Sequence, residues 1–432
     1  MRPFQIILVS LFGALAIGGL IMFATFRGFS GDNDPMRNGV TIWGTLDDRA
    51  FTEVLGDISA KDQKWGKVKY YRKDQNTFVT TLVNAIAEGT GPDMIVLPQD
   101  LIVLESTKIQ PISYAAYSER TFKDSFVDGA SVFALPAGIY GIPFAVDPLM
   151  MYWNRNTFSS AGFAYPPRTW EELVSATTPA LTLRTDANDI KKSAVAFGEY
   201  SNIQNAKAVL LMLLLQAGST LVTITDGTFH VDLNINDGRA NVPPADAALR
   251  FYTQFSNPTK TTYSWNRAQK NDRDMFLSED LALYFGFGSE YHALAAGNAN
   301  INFDVTEVPQ VAQNGGTKRG YGTFYAFAIP KSAKNPSGAY EAAQGLALGA
   351  YTDSLIRKLG LAPARRDLIA AGNGTASGDV IYRAALVAHA WLDPNPQQSD
   401  NIFKDMIEAV TSGRSKISEV IDDATYKLQQ AF

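Results

Sequence analysis

Residues 138–174 read GIYGIPFAVDPLMMYWNRNTFSSAGFAYPPRTWEELV. Residues 139–146 form an apolar run interrupted by Pro143. Proline has no N–H to give to a ladder, so this strand belongs at a sheet edge or at a crossing between sheets. Residues 149–153 read as a second strand, and residues 154–161 as a short helix stopped by Gly162. Pro166-Pro167 then force an extended path, and Thr169 followed by Glu172 spells an N-cap with its capping-box partner. Strands of this kind link one part of a chain to another.

Working outward, residues 40–44 (VTIWG) read as a short buried strand and residues 68–71 as a second, alternating one. Residues 77–88 form an apolar-periodic helix stopped by Gly89, and Gly91-Pro92-Asp93 turns the chain into the apolar strand 94–97. Alternation of strand, helix and strand indicates an α/β architecture. Downstream, residues 206–217 are an apolar helix, and residues 221–233 read as a hairpin about Asp226-Gly227. Residues 245–255 are a helix behind Pro243-Pro244, and helices at 404–412 and 416–430 flank Gly413. There is no internal repeat.

At 432 residues the chain is too long for one ordinary core and implies two lobes plus a tether. A net charge of −5 argues against nucleic acid as a partner, because phosphates demand a basic face. The sequence has no cysteine, which excludes disulfides, thiolate metal sites and a lipid-modified cysteine. His230, His292 and His389 are scattered and read as packing or surface residues. Residues 4–26 carry no charge and, as a helix, reach about 34 Å, enough to cross the roughly 30 Å of bilayer hydrocarbon. The small-residue triplet Ala14-Leu15-Ala16 lies inside the apolar run, so the segment reads as an uncleaved signal-anchor rather than a removed signal peptide. Arg2 opposes Arg27 and Arg37, so charge leaves the orientation open. Residues 28–39 are polar and rich in glycine, aspartate and asparagine, and read as a flexible spacer.

The 138–174 string resembles the hinge signature of family 1 extracellular solute-binding proteins, the maltose-binding-protein-like receptors of ABC importers. Tyr140, Gly141, Pro143, Asp147, Tyr152, Asn154, Phe158, Gly162, Pro167, Thr169, Trp170, Glu171 and Glu172 carry it, in order. Residues 91–100, 274–291, 322–336 and 361–367 resemble further family segments, so the likeness spans roughly residues 40–430. It departs in lacking a lipid-anchoring cysteine, and residues 182–192 match no family loop. The resemblance implies a periplasmic-binding-protein type II fold, with residues 40–145 and 304–350 in lobe I and 146–303 and 351–432 in lobe II. Residues 1–27 would be the transmembrane anchor and 28–39 the spacer. It also implies a monomeric receptor, not an enzyme, held at the cell membrane with its body outside the cytoplasm. Such a receptor closes over a small polar ligand, a sugar or oligosaccharide, and delivers it to ABC permease subunits. Two other readings stay open here: a membrane-stalked polysaccharide-active enzyme, and a ligand receptor for a signalling system.

Sugars present hydroxyls, which suit carboxylates and amides, and C–H faces, which suit flat rings. Trp43, Asp47 and Asp48 follow the first strand and Gln99 and Asp100 the third, at strand exits where open α/β sheets bind ligands. Asp147 lies in the hinge string, where the resemblance implies an acid turned to the ligand. Gly288, Glu290 and Tyr291 follow the strand at 281–285; Tyr321, Phe324 and Tyr325 are candidate stacking rings, and Arg365 sits in a matched loop. Residues 232–243 mimic a calcium loop, but its glycine is one position late and Pro243 stands where glutamate is needed. No phosphate loop, histidine metal pair or nucleophile elbow occurs, so neither cofactor nor metal is expected.

Overall fold

A computed structural model describes residues 34–235, 242–312 and 317–432. The expected membrane anchor at 4–26 lies outside the described residues. Among those described, no helix is long and apolar enough to cross a membrane.

The N-terminal third builds a parallel sheet from β1 (Val40–Gly44), α1 (Asp48–Lys61), β2 (Val68–Arg72), α2 (Phe78–Ala87) and β3 (Met94–Pro98). β1 pairs with β2 on one side and β3 on the other. α1 starts where the Asp47 side chain accepts the Arg49 N–H at 3.1 Å, and it buries Ala50, Phe51, Val54, Leu55 and Ile58. That helical spacing lays one apolar stripe on the sheet, with Phe51 stacked on Tyr70 at 3.9 Å between ring centres.

The principal elements that follow are β4 (Ile142–Asn154), α3 (Arg155–Ser160), β5 (Ile190–Val195) and α4 (Ala206–Gln216). Next come the hairpin β6 (Val222–Thr225) and β7 (Thr228–Val231), α5 (Pro244–Thr253), β8 (Leu281–Phe287) and α6 (Glu290–Gly297). Then follow β9 (Phe303–Thr306), β10 (Gly320–Ala328), α7 (Pro336–Leu348), α8 (Thr352–Leu359) and β11 (Ala362–Pro363). The chain ends through α9 (Ala376–Val387), β12 (Ala388–His389), α10 (Pro396–Thr411) and α11 (Ile417–Gln430). The hairpin turn at Asp226 and Gly227 has φ of 51° and 78°, the left-handed pair that a two-residue turn requires.

Strands run in the order β2-β1-β3-β10-β4-β8-β5, and β4 is where two sheets become one. Its residues 142–148 pair with β10, whereas 149–153 pair with β8 and 151–154 with β9. The two strands expected at 139–146 and 149–153 are therefore one strand, buried along its whole length. Pro148 sits at the handover, opposite Gly322, so its missing N–H falls where the ladder changes partner. A Cβ on Gly322 would lie 3.1 Å from the Asp147 carbonyl oxygen and 3.2 Å from the Ala388 Cβ, so any larger residue would push the strands a few tenths of an ångström apart. Pro143 is absorbed by an irregularity in the β4–β10 pairing, and the Phe144 carbonyl there accepts the Ala364 N–H at 3.0 Å.

The sequence motifs take structural roles. Thr169 and Glu172 form a reciprocal capping box. Asn154 caps α3 by accepting the Thr157 N–H at 2.9 Å. Asp93 accepts the Thr41 N–H at 3.0 Å and the Asn335 N–H at 2.9 Å, tying β1 to the start of α7. Asn335 in turn donates to the Pro35 and Gly39 carbonyls. The described end of the expected flexible spacer is thus folded: Asp34 caps a short turn, and Met36 is wholly buried under α7.

Contacts also redraw the division of the chain at two places. α8 packs on α1 and α7 beside the β2-β1-β3 run, although a boundary at residue 351 assigns it to the other part. β9 pairs with the far end of β4, although a boundary at 304 assigns it to the first part. For β9 the strand-to-strand register, invisible in local pattern, sets the neighbours. α4, α5, α10 and α11 pack together around the second run.

Candidate ligand-binding cleft

Where the two runs meet, a cavity of about 550 Å³ is open. From the first run comes Asp100, at the exit of β3. Tyr321 and Thr323 project from β10, and Phe287 from the end of β8. The opposite wall is the polar segment that ends β5 and starts α4, including Tyr200, Gln204, Asn205 and Lys207. Asp393 lies before α10, and Asp400 and Lys404 are on it near the mouth. Three aromatic faces, three carboxylates, three amides and two amines therefore line one hollow.

Most of these groups already hold one another. Lys207 Nζ donates to Asp393 Oδ2 at 2.7 Å, to Ser399 Oγ at 2.7 Å and to the Pro396 carbonyl at 3.4 Å. All three ammonium protons are thereby used. The Tyr200 hydroxyl donates to Asp400, and burial together with that acceptor raises the phenol above its usual range. Asp100 is the exception. Its Oδ1 is closed off from solvent with no hydrogen-bond partner. Burial first, then the nearby Asp393 charge, pushes its carboxyl up to about 6, with Lys207 pulling the other way. An oxygen left in this state is stabilised by any incoming donor.

Tyr321 lies beside the Gln99 side chain, and its ring centre lies 6.5 Å from that of Phe287. Tyr325 follows on the same face of β10 by alternation and feels the charges of Asp147 and Asp100.

Of the residues singled out in the sequence, Asp100 and Tyr321 are brought together in this cavity. Gln99 is buried behind it, its Oε1 accepting the Phe324 N–H at 2.6 Å, and Phe324 is core. Glu290 accepts from Asn205 Nδ2, the Tyr284 hydroxyl and the Phe287 N–H, and so builds the wall rather than facing the hollow. Gly288 donates to the Pro148 carbonyl at 2.9 Å, pinning the loop to the crossing strand. Tyr291 packs on Phe303 and His292. Trp43 lies under Lys73 Nζ, 3.8 Å from the ring centre, while Asp47 and Asp48 are exposed at the start of α1. Arg365 donates to the Leu348 carbonyl and to Asp367. Sequence reading missed Asn205, Lys207, Thr323 and Asp393; the polar run 200–207 directly ahead of an apolar helix was the available signal.

Asp147 serves the crossing. Its carboxylate accepts the Ser289 N–H at 2.9 Å and the Ser289 hydroxyl at 2.6 Å, joining β4 to the loop before α6. Burial, opposed by those bonds, raises it to about 7, and burial likewise raises Asp272 to about 7. An acid whose pKa is raised by folding binds its proton more tightly when folded, so folding is favoured as pH falls through that value. Thermal stability is expected to rise between pH 8 and 6.5, above the range where buried, neutral His389 starts to oppose it. Asp147→Asn should flatten that rise in a series of melting curves; an unchanged slope excludes Asp147 as its source.

A sequence model of bacterial extracellular solute-binding proteins matches residues 56–405, most of the chain. The chain belongs to this family. As a solute-binding protein it has distant curated relatives, including proteins of Brucella abortus (strain 2308) and Brucella suis biovar 1 (strain 1330) named only as binding proteins. Each is 28% identical over 95 residues, 21% of this chain and 23% of the relative's length. Among solved structures, a cyclo/maltodextrin-binding protein complexed with maltotetraose has a TM-score of 0.72 at 17% identity, covering 93% of this chain and 98% of that one. A Thermotoga lettingae ABC transporter solute-binding protein bound to α-D-tagatose has a TM-score of 0.67 at 20% identity, covering 91% and 99%. These likenesses establish that the solute-binding protein has the α/β receptor fold of its family.

Proposed function

We propose that this solute-binding protein captures a small sugar or oligosaccharide outside the cytoplasm and delivers it to an ABC importer. The observation that carries the reading is the cavity between the two sheet runs, where Asp100, Asn205 and Thr323 face the rings of Tyr200, Phe287 and Tyr321. Carboxylate, amide and hydroxyl suit sugar hydroxyls, rings suit the C–H faces, and the volume lies in the range of small-ligand sites. Solved relatives of this fold hold maltotetraose and α-D-tagatose.

In this reading the two runs are hinged lobes, and β4 and β10 are the strands that bend between them. Ligand bridges Asp100 on one side to α4 and α10 on the other, so only the closed form touches it from both sides, and ligand shifts the population toward closure. The apolar segment 4–26 anchors the receptor in the membrane and raises its effective concentration beside the permease.

A thermal-shift screen of the full chain tests the ligand class. A bound sugar at one hundred times its Kd is expected to add about 2.7 kcal/mol of stability. Amino acids, peptides and divalent metals are expected to leave the melting temperature unchanged. Stabilisation by peptides or metals alone overturns the sugar reading.

A further inference from the structure

Charge at the bottom of the cleft is unbalanced in a definite direction. Asp100, Asp393 and Lys207 all line the cavity, and Asp100 feels both the Asp393 charge and the opposing Lys207 charge. Lys207 directs its protons to Asp393, Ser399 and the Pro396 carbonyl, so it neutralises Asp393 and leaves Asp100 without a hydrogen-bonded counter-ion. The remaining titratable groups near this acid are neutral phenols: Tyr321, beside Gln99, and Tyr325, which follows Thr323 on the same face of β10. At the mouth, Asp400 is engaged by Tyr200 and Lys404 is the second cation. The lining thus holds three acids against two amines, and the surplus negative charge sits at the deep end.

We infer that the deep end of the cleft receives a hydroxyl or a protonated amine of the ligand against Asp100 and rejects a carboxylate, so that the receptor selects neutral and amino sugars over uronic acids. This rests on the sugar reading given above and adds a charge rule to it. A hydroxyl reaching the Asp100 carboxylate from the cavity gives it a donor. An ammonium does the same and also offsets the surplus charge. A uronate places like charges together in a water-poor hollow, an arrangement that interfaces use to exclude wrong partners.

Matched triplets test this: glucose, glucosamine and glucuronate, with the galacto and manno series, measured by calorimetry on the full chain. In the series that binds, the neutral or amino member is expected to bind at least 100-fold more tightly than the uronate. The isosteric Asp100→Asn variant, which keeps the shape, is expected to bring that ratio below 10-fold. It should also abolish the loss of amine preference that the wild type shows when pH falls from 7.5 to 5. Uronates binding as tightly as their neutral partners, or Asp100→Asn leaving the ratio unchanged, overturns the charge rule while the sugar reading stands. Failure of every sugar in all series overturns the sugar reading, and the charge rule with it.

Discussion

Lys207→Met unfolds at markedly lower denaturant than the wild type, by an expected 3–5 kcal/mol, the usual cost of stripping a buried charge of its partner. The stranded group is Asp393, whose side chain is 1% exposed. Without Lys207 it keeps the Asn395 N–H at 3.1 Å and the Ser399 hydroxyl at 2.8 Å, two neutral donors in place of a cation. Lys207 extends from the largely apolar α4 to the turn before α10, so the same change also loosens the wall opposite Asp100. The double variant Lys207→Met with Asp393→Asn removes both charges, and most of the lost stability is expected to return. Urea unfolding of the three proteins checks this. A double variant as unstable as the single one shows that Lys207 acts through packing of its stem rather than through Asp393.

Trp170→Ala is expected to cost about 3–5 kcal/mol, the range for truncating a large buried aromatic. Trp170 is 5% exposed and packs against Phe251, Phe197 and Phe285, with ring centres 5.2, 6.1 and 6.0 Å away. Its Nε1 donates to Gln216 Oε1 at 2.5 Å, and Gln216 reaches on to the Pro309 and Arg319 carbonyls. Truncation therefore opens a cavity and also removes the indole hydrogen bond to Gln216, which adds about 1 kcal/mol. Trp170→Phe keeps most of the volume and loses the indole donor, so its melting temperature should fall between those of the wild type and Trp170→Ala. Equal losses in the two variants show that the hydrogen bond, not the packing, carries the effect.

What the sequence made legible, and what it hid, follows from the range of the interactions. β1 and β3 could be read almost to the residue because an apolar run closed by glycine or opened by Gly91-Pro92-Asp93 is local information. The capping box at Thr169 and the hairpin turn at Asp226 are equally local. The continuity of β4 was hidden, because Pro148 looks like a break until Gly322 and Phe287 are seen on either side of the handover.

At the site, Asp100 was visible as an acid at a strand exit and Tyr321 as a candidate stacking ring. Gln99 and Glu290 are of the right chemical type in similar places. Their capacity is taken by groups distant in sequence, the Phe324 N–H for Gln99 and Asn205 for Glu290. Lys207 was hidden for the same reason: its helix reads as core, and Asp393 is 186 residues away.

In the proposed function two hinged parts close on a sugar held between them. The sequence has no cysteine, so spin labels at Thr80→Cys on α2 and Asp405→Cys on α10, both exposed, report one distance without background. Pulsed dipolar spectroscopy of the labelled full chain, with and without the most stabilising sugar, is predicted to show a broad or longer distance collapsing to a shorter, narrower one. An identical distribution in both conditions, with the sugar demonstrably bound, contradicts closure as the means of capture.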